Sequence, residues 1–245
     1  MTHKPTPVYR HLYERLSGQI RRGEIVPGER LPSERQLAGE LGVSRMTARA
    51  AVDVLVQRGL VQRRERDGIY AARPKIEQVL SSPAGLSEQL FRRGVTPGAR
   101  VVGRDRVRAG EVPEEVRSAL GLRAAGLVFR LVRVRTGDGE PLALEESYFP
   151  AARCPGLLDA DLTGSVYGWL ADQHGLRVGR SVQELEPGLL DPGAAALLGT
   201  HPNSPVLGVI RTAWTGDGTP LEHARDLYRA DRLRFVVESG AAEAT

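Results

Sequence analysis

Arg45 and Arg49 stand four residues apart in the run Ser44-Arg45-Met46-Thr47-Ala48-Arg49. On a helix of about 3.6 residues per turn they fall on one face, about 40° apart. Ala50, Ala51 and Val54 are expected on roughly the opposite, buried side, and Thr47 leans toward it. Two guanidiniums in the first turns of a helix suit the major groove of DNA, where arginine binds guanine O6 and N7 in bidentate fashion. They would equally suit a solvated helical face, so the elements that position them must decide. Val52 and Val56 share the arginine face further along, and the sequence names no partner for them.

Those elements carry strong local signals. Ser33 is placed to cap one helix, with Gln36 three residues on as its capping-box partner. Gly42 can supply the left-handed residue that ends it, and Ser44 can cap the next, which runs to about Arg58 before Gly59. Upstream, Pro7 stands near the start of a further helix with Tyr9, Leu12, Leu16 and Ile20 at helical spacing, closed by Arg21-Arg22-Gly23. Residues 25–31, broken by Pro27-Gly28, form a connector with room for a short strand. Residues 60–64 and 69–72 read as two strands around Glu65-Arg66-Asp67-Gly68, where Asp-Gly is a hairpin signal. Helix, helix, second helix of a pair, then hairpin is the order of a winged helix-turn-helix. Arg63, Arg64 and Arg66 on the hairpin are placed to reach phosphates or a minor groove, with Lys4 at the N-terminus adding sequence-independent attraction.

The chain has 245 residues, enough for two domains, and 41% hydrophobic content allows sizeable cores. Residues 1–75 hold 15 Lys/Arg against 8 Asp/Glu, whereas residues 76–245 hold 19 against 22, so only the first part is built to meet a polyanion. Cys154 is the single cysteine, which excludes an intramolecular disulfide and a thiolate metal cluster. No apolar run is long enough to span a membrane, and Met1-Thr2-His3-Lys4-Pro5 lacks an apolar targeting region, so a cytoplasmic protein is expected. His3, His11, His174, His201 and His223 show no metal-ligand spacing, and no cofactor is implied.

Beyond residues 71–75, with Pro74, the pattern is mixed. Residues 86–93 read as a helix ended by Gly94, with Ser82 or Ser87 as candidate caps; residues 101–109 alternate like a strand; residues 113–120 read as a short helix. Residues 128–135 are a clear strand, and Thr163 or Ser165 caps a helix that runs to His174 and stops at Gly175. A helix over 191–198 and strands over 206–214 and 233–238 follow. Thr136-Gly137-Asp138-Gly139-Glu140-Pro141-Leu142 recurs as Thr215-Gly216-Asp217-Gly218-Thr219-Pro220-Leu221. Two such hairpins interleaved with helices predict an α+β domain: an antiparallel sheet with helices against one face.

The first part resembles the GntR family of bacterial transcription regulators. Gly28-Glu29-Arg30-Leu31-Pro32-Ser33-Glu34-Arg35-Gln36-Leu37-Ala38 matches the family run G-x-x-L-P-S-E-R-x-L-A, and Ser44-Arg45-Met46-Thr47-Ala48-Arg49 its S-R-x-T-x-R helix. The resemblance implies DNA contacts from Arg35, Arg45, Thr47 and Arg49, with the wing glycine Gly68 close to the DNA. The wing itself departs from the usual G-x-G-T-F, reading Arg66-Asp67-Gly68-Ile69-Tyr70, and Asp67 would repel phosphate.

The second part resembles the UTRA effector domain of the HutC branch, whose fold is similar to chorismate lyase. The stretches that match best are 133–148, Ser165-Val166-Tyr167, Pro220-Leu221-Glu222 and 227–232. The resemblance implies a small-metabolite site built from Arg133, Arg135, Glu145, Ser165, Tyr167, Glu222 and Tyr228, with amino sugar phosphates and urocanate among the family's ligands. Two residues apart on a strand, Arg133 and Arg135 point to one face and favour an anion. Ser165 and Tyr167 lie where a helix begins, and its free N–H groups favour one too. The same arginines and glutamates could instead pair with one another. Members that bind sugar phosphates carry a hydroxyl pair before the first helix of this domain, where this chain has Ala84-Gly85 unless a gap restores Ser81-Ser82, so a carboxylate or non-phosphorylated ligand is equally expected.

The domains expected are therefore a winged helix-turn-helix over 1–73, a linker over 74–77, and an effector-binding and dimerisation domain over 78–245. The function expected is that of a homodimeric repressor on an inverted-repeat DNA operator, controlled by a small anionic or sugar-like effector. The rival readings are an enzyme of chorismate-lyase-like fold fused to a DNA-binding module, and a DNA-binding protein with no effector. Glu222-His223 could mimic an acid/base pair, but neighbours on a strand point to opposite faces.

Overall fold

The computed structural model describes residues 8–64, 67–72, 75–80 and 85–237. The chain divides into two compact units, 1–74 and 75–245.

In the first unit, helix α1 (Val8–Arg21) is followed by strand β1 (Arg30–Leu31), helices α2 (Glu34–Leu41) and α3 (Arg45–Gln57), and strands β2 (Val61–Arg64) and β3 (Gly68–Ala71). The local signals act as chemistry requires. Ser33 and Gln36 form a full capping box on α2, Gly42 closes it at φ +62°, and the Ser44 hydroxyl accepts from the Thr47 N–H to cap α3. The strands form an antiparallel sheet in the order β1-β3-β2.

The buried face of α3 differs from the expected one. Ala48, Ala51, Val52 and Leu55 are buried against Leu12 and Leu16 of α1 and Leu37 of α2, whereas Ala50 and Val54 are only half-buried. Seven of the residues from 48 to 56 are apolar, so composition offers α3 almost any face. The neighbours α1 and α2 select the one used, and they give Val52 its partners.

The second unit begins with β4 (Ile76–Val79), which pairs in parallel with β11 (Leu233–Val236). Residues 76 and 77, expected in a linker, thus belong to this strand. Helix α4 (Leu86–Arg92) starts at Gly85 with no side-chain cap; Ser87 bonds elsewhere, and Ser82 lies outside the described residues. Then come β5 (Pro97–Arg108), α5 (Glu114–Ala119), β6 (Leu127–Gly137), β7 (Glu140–Pro150), α6 (Val166–His174), β8 (Val178–Leu189), α7 (Pro192–Leu197), β9 (Pro205–Thr215) and β10 (Pro220–Arg229).

Six of these strands form one antiparallel sheet in the order β5-β6-β7-β10-β9-β8. It is the product of an internal repeat: β5-α5-β6-β7 and β8-α7-β9-β10 share one element order, and the two Thr-Gly-Asp-Gly segments turn the β6–β7 and β9–β10 hairpins. The copies meet where β7 pairs with β10. Helices cover both faces, not one. Helix α6 packs on Phe129, Leu131 and Phe149, and α4 on Leu142 and Tyr228. On the other face α5 packs on Val128 and Tyr148, and α7 on Val134 and Val206. The central strands carry buried side chains at both parities, so each face needs a cover.

Candidate functional site

At the start of α3 the Arg45 side chain is 76% exposed and approaches Glu34 only at 4.0 Å. Arg35 and Arg49 are exposed and make no side-chain hydrogen bond or ion pair among the described residues. Thr47 is half-buried, its hydroxyl 2.9 Å from that of Ser44. Gly68 holds φ +128°, and a Cβ there would stand 3.2 Å from Arg30 Nε. Arg63 departs from its expected role. Its guanidinium is ion-paired with Asp53 of α3 and, at 2.8 Å, with Glu34 of α2. It clamps the hairpin to both helices, where a free phosphate-seeking cation was expected. Arg66, Lys4 and the Arg64 side chain lie outside the described residues.

On the α4/α6 face of the large sheet, one cavity is lined by all seven residues of the proposed ligand set: Arg133, Arg135, Glu145, Ser165, Tyr167, Glu222 and Tyr228. Strand register builds it. Arg133, Glu145 and Asp226 are directly opposite one another across β6, β7 and β10, and Arg135, Ala143 and Tyr228 form the next row. Arg133 Nη2 donates to Glu145 at 2.8 Å, and Arg135 Nη1 donates to the same carboxylate at 3.0 Å. Arg133 Nη1 also donates to the carbonyls of Leu162 and Gly164 (3.2 and 3.0 Å), which fixes the loop leading into α6. Ser165 caps that helix at Gly168 N, at 3.1 Å. Among the described residues, the Val166 and Tyr167 N–H groups have no backbone partner and stand at the cavity wall.

Two charged residues of this site are absent from the expected set. Arg211 of β9 donates to Glu222 at 3.1 Å and to Asp226 at 2.9 Å, and Tyr167 donates to Glu222. Ser87 adds a hydroxyl that accepts from Arg135; residues 81–84, where a hydroxyl pair was sought, lie outside the described residues. Arg211 is the one charged residue of its strand, a signal that could have found it. Asp226 shows its role only once β10 is paired with β7.

The pairing is unequal. Glu145 has two arginines, whereas Glu222 and Asp226 share one. Burial pushes the Glu145 carboxyl up, but Arg135 and Arg133 pull it down further, to about 2. Burial pushes Asp226 up as well, to about 7; Arg211 opposes this, and Glu145 and Glu222 reinforce it. Burial also raises the Tyr167 and Tyr228 phenols, which keeps both as donors. The cavity therefore has a cationic pole at Arg133 and Arg135 and an acceptor pole at Glu222. On the opposite face His223 Nδ1 lies 2.9 Å from the Thr212 hydroxyl, away from Glu222.

A winged helix-turn-helix followed by an α+β unit with a polar cavity defines a class, the transcriptional regulators. Residues 8–71 match the model of the gntR family of bacterial regulatory proteins, and residues 92–234 match that of the UTRA domain. The chain is 35% identical to the HTH-type transcriptional repressor NagR of Bacillus subtilis over 95% of its own length and 94% of the relative's. It is 31% identical to the histidine utilization repressor of Pseudomonas putida, over 94% of this chain and 91% of that one. The crystal structure of PhnF from Mycobacterium smegmatis superposes with a TM-score of 0.66 at 31% identity, covering 96% of this chain and all of that one. The chain belongs to the GntR family, with a UTRA domain of the HutC type. It is a DNA-binding transcriptional regulator, not an enzyme.

Proposed function

We propose that the chain is a repressor that binds an inverted-repeat operator as a homodimer in the cytoplasm and leaves it when a small ligand enters the cavity. Arg35, Arg45 and Arg49 read bases, with Thr47, Ser44 and the Gly68 wing against the backbone; each bidentate arginine–guanine contact discriminates by roughly 1–3 kcal/mol. The effector is a small polar molecule with an anionic group for Arg133, Arg135 and the α6 N-terminus, and hydroxyl or amino donors for Glu222. The observation that carries this reading is the unequal sharing of charge. Two arginines share Glu145 at one end of the space and Glu222 accepts at the other, so the cavity presents a cationic and an acceptor end to the same ligand. Ligand binding would bias the equilibrium between DNA-competent and DNA-incompetent forms by about 1–3 kcal/mol, enough for release.

The test is fluorescence anisotropy on DNA selected by the protein, titrated with phosphorylated sugars, non-phosphorylated sugars and small carboxylates. Release by one class, lost in Arg135→Gln and in Glu222→Gln while DNA binding is kept, is the expected result. Binding that no member of the panel changes, with no ligand co-purifying, would overturn the effector reading.

A further inference from the structure

Met46 is the second residue of α3, and it is 71% exposed. Its direction is unusual for an apolar side chain. The residues that α3 buries, Ala48, Ala51, Val52 and Leu55, share one side of the helix. At about 100° of rotation per residue, Met46 falls almost diametrically opposite the centre of that side. Around the helix, Arg45 and Arg49 flank it on one hand, and Ala50 and Thr47 on the other. No other residue in the first turn of α3 points so directly away from the domain. Asp53, one heptad further along nearly the same line, is held by Arg63. Its charge marks where the outward line ceases to suit a polyanion, so the end carrying Met46 is the one that enters the groove.

The helix thus presents, at its entering end, a long flexible thioether side chain between a pair of guanidiniums and a pair of small residues. Guanidiniums satisfy guanine edges. The only apolar group on the floor of the major groove is the thymine C5-methyl, and methionine packs readily on irregular apolar surface. Resting on the DNA-binding reading above, we propose that Met46 is a specificity-determining residue that reads a thymine methyl group beside the bases read by Arg45 and Arg49. Binding would then bury an apolar side chain that the free protein leaves in water.

The experiment uses the full chain. Duplexes retained from a random pool define the operator, and each of its thymines is then replaced singly by 2′-deoxyuridine, which removes the methyl and leaves every hydrogen-bonding group. Expected is one position per half-site at which the replacement weakens binding by roughly fourfold, the factor for one methyl-sized group returned to water. Met46→Ala should bind the thymine and deoxyuridine operators equally at that position, and Met46→Leu should keep the preference. Met46 lies on the surface, so both variants fold. Deoxyuridine tolerated at every position by the native protein, or a penalty unchanged in Met46→Ala, would overturn the assignment. Retention of no duplex would overturn the DNA-binding reading itself, and this inference with it.

Discussion

Arg211 donates to Asp226 at 2.9 Å, yet burial of the whole Asp226 side chain outweighs this contact, which Arg211 divides with Glu222, and pushes the carboxyl up to about 7. A carboxyl whose pKa is higher in the folded chain than in the unfolded one favours folding while both states are protonated. That contribution is lost as pH rises. For Asp226 the loss runs from about 4, the unfolded value, to about 7. Glu145 acts with the opposite sign at lower pH: its contribution is present above about 4.5 and is lost as pH falls toward about 2. In urea unfolding between pH 4.5 and 7, Asp226 should therefore lower stability as pH rises, against His223, whose pKa burial lowers and whose contribution has the opposite sign. Asp226→Asn should remove the Asp226 contribution. A pH dependence that is the same in the native protein and in Asp226→Asn would contradict the account.

Arg35 and Arg49 are exposed cations toward the N-terminal ends of the helix pair, and no carboxylate engages either among the described residues. Replacing either by alanine should cost about 1–3 kcal/mol at the selected operator if it reads a base, and should lower the dependence of log K on log salt by about one phosphate equivalent if it binds the backbone. Operator affinity and salt slope both unchanged in Arg49→Ala would remove that residue from the interface.

Arg63 gives a contrasting expectation. Its guanidinium is already shared by Glu34 and Asp53, so it contributes little to the attraction for phosphate. Arg63→Gln should leave the salt slope of DNA binding near the native value and lower stability by less than about 1 kcal/mol, since the pair is partly exposed. A salt slope reduced by a full phosphate equivalent would show that the clamp opens on DNA.

Cys154 is fully buried in the core beneath α6, and burial pushes its thiol up to about 12. A buried thiol without thiolate character is a poor nucleophile. Alkylation by iodoacetamide in mildly alkaline buffer should proceed only at the rate of unfolding and become fast in denaturant. Rapid labelling of the native protein would mean that this core opens.

What the sequence disclosed was set by the range of each interaction. Ser33 with Gln36, Ser44, Ser165 and Gly175 act within one turn of their own helix, and their roles were readable from neighbours alone. The Thr-Gly-Asp-Gly turns are equally local, and two of them revealed both central hairpins. Arg133 and Arg135 were legible as a pair because the strand around them alternates. Asp226 was not, since its place beside Glu145 depends on pairing two hairpins that lie far apart along the chain. The outward direction of Met46 was equally hidden, because it depends on which of several apolar faces α3 buries. Strand β8 escaped because it is an edge: Arg180-Ser181-Val182-Gln183-Glu184 has no buried face to impose alternation, and Pro187-Gly188 imitates a turn.

Gly179, in that same strand, leads to the last prediction. Val178 pairs with Thr215 and Arg180 with Trp214, so the ladder shifts by one residue at Gly179. There β8 runs against the turn of the second hairpin, and a Cβ on Gly179 would lie 2.6 Å from Gly216 Cα and 2.8 Å from its nitrogen. Backbone cannot swing aside as a side-chain tip can, so Gly179→Ala must push the edge strand off the hairpin, at a cost of about 1–3 kcal/mol. Gly188 near the other end of β8 is the control: a Cβ there would meet only Val206 Cγ2, at an ordinary 3.6 Å. Gly188→Ala should be within about 0.5 kcal/mol of the native protein. Equal stability of the two variants in urea would show that β8 yields at the bulge without loss.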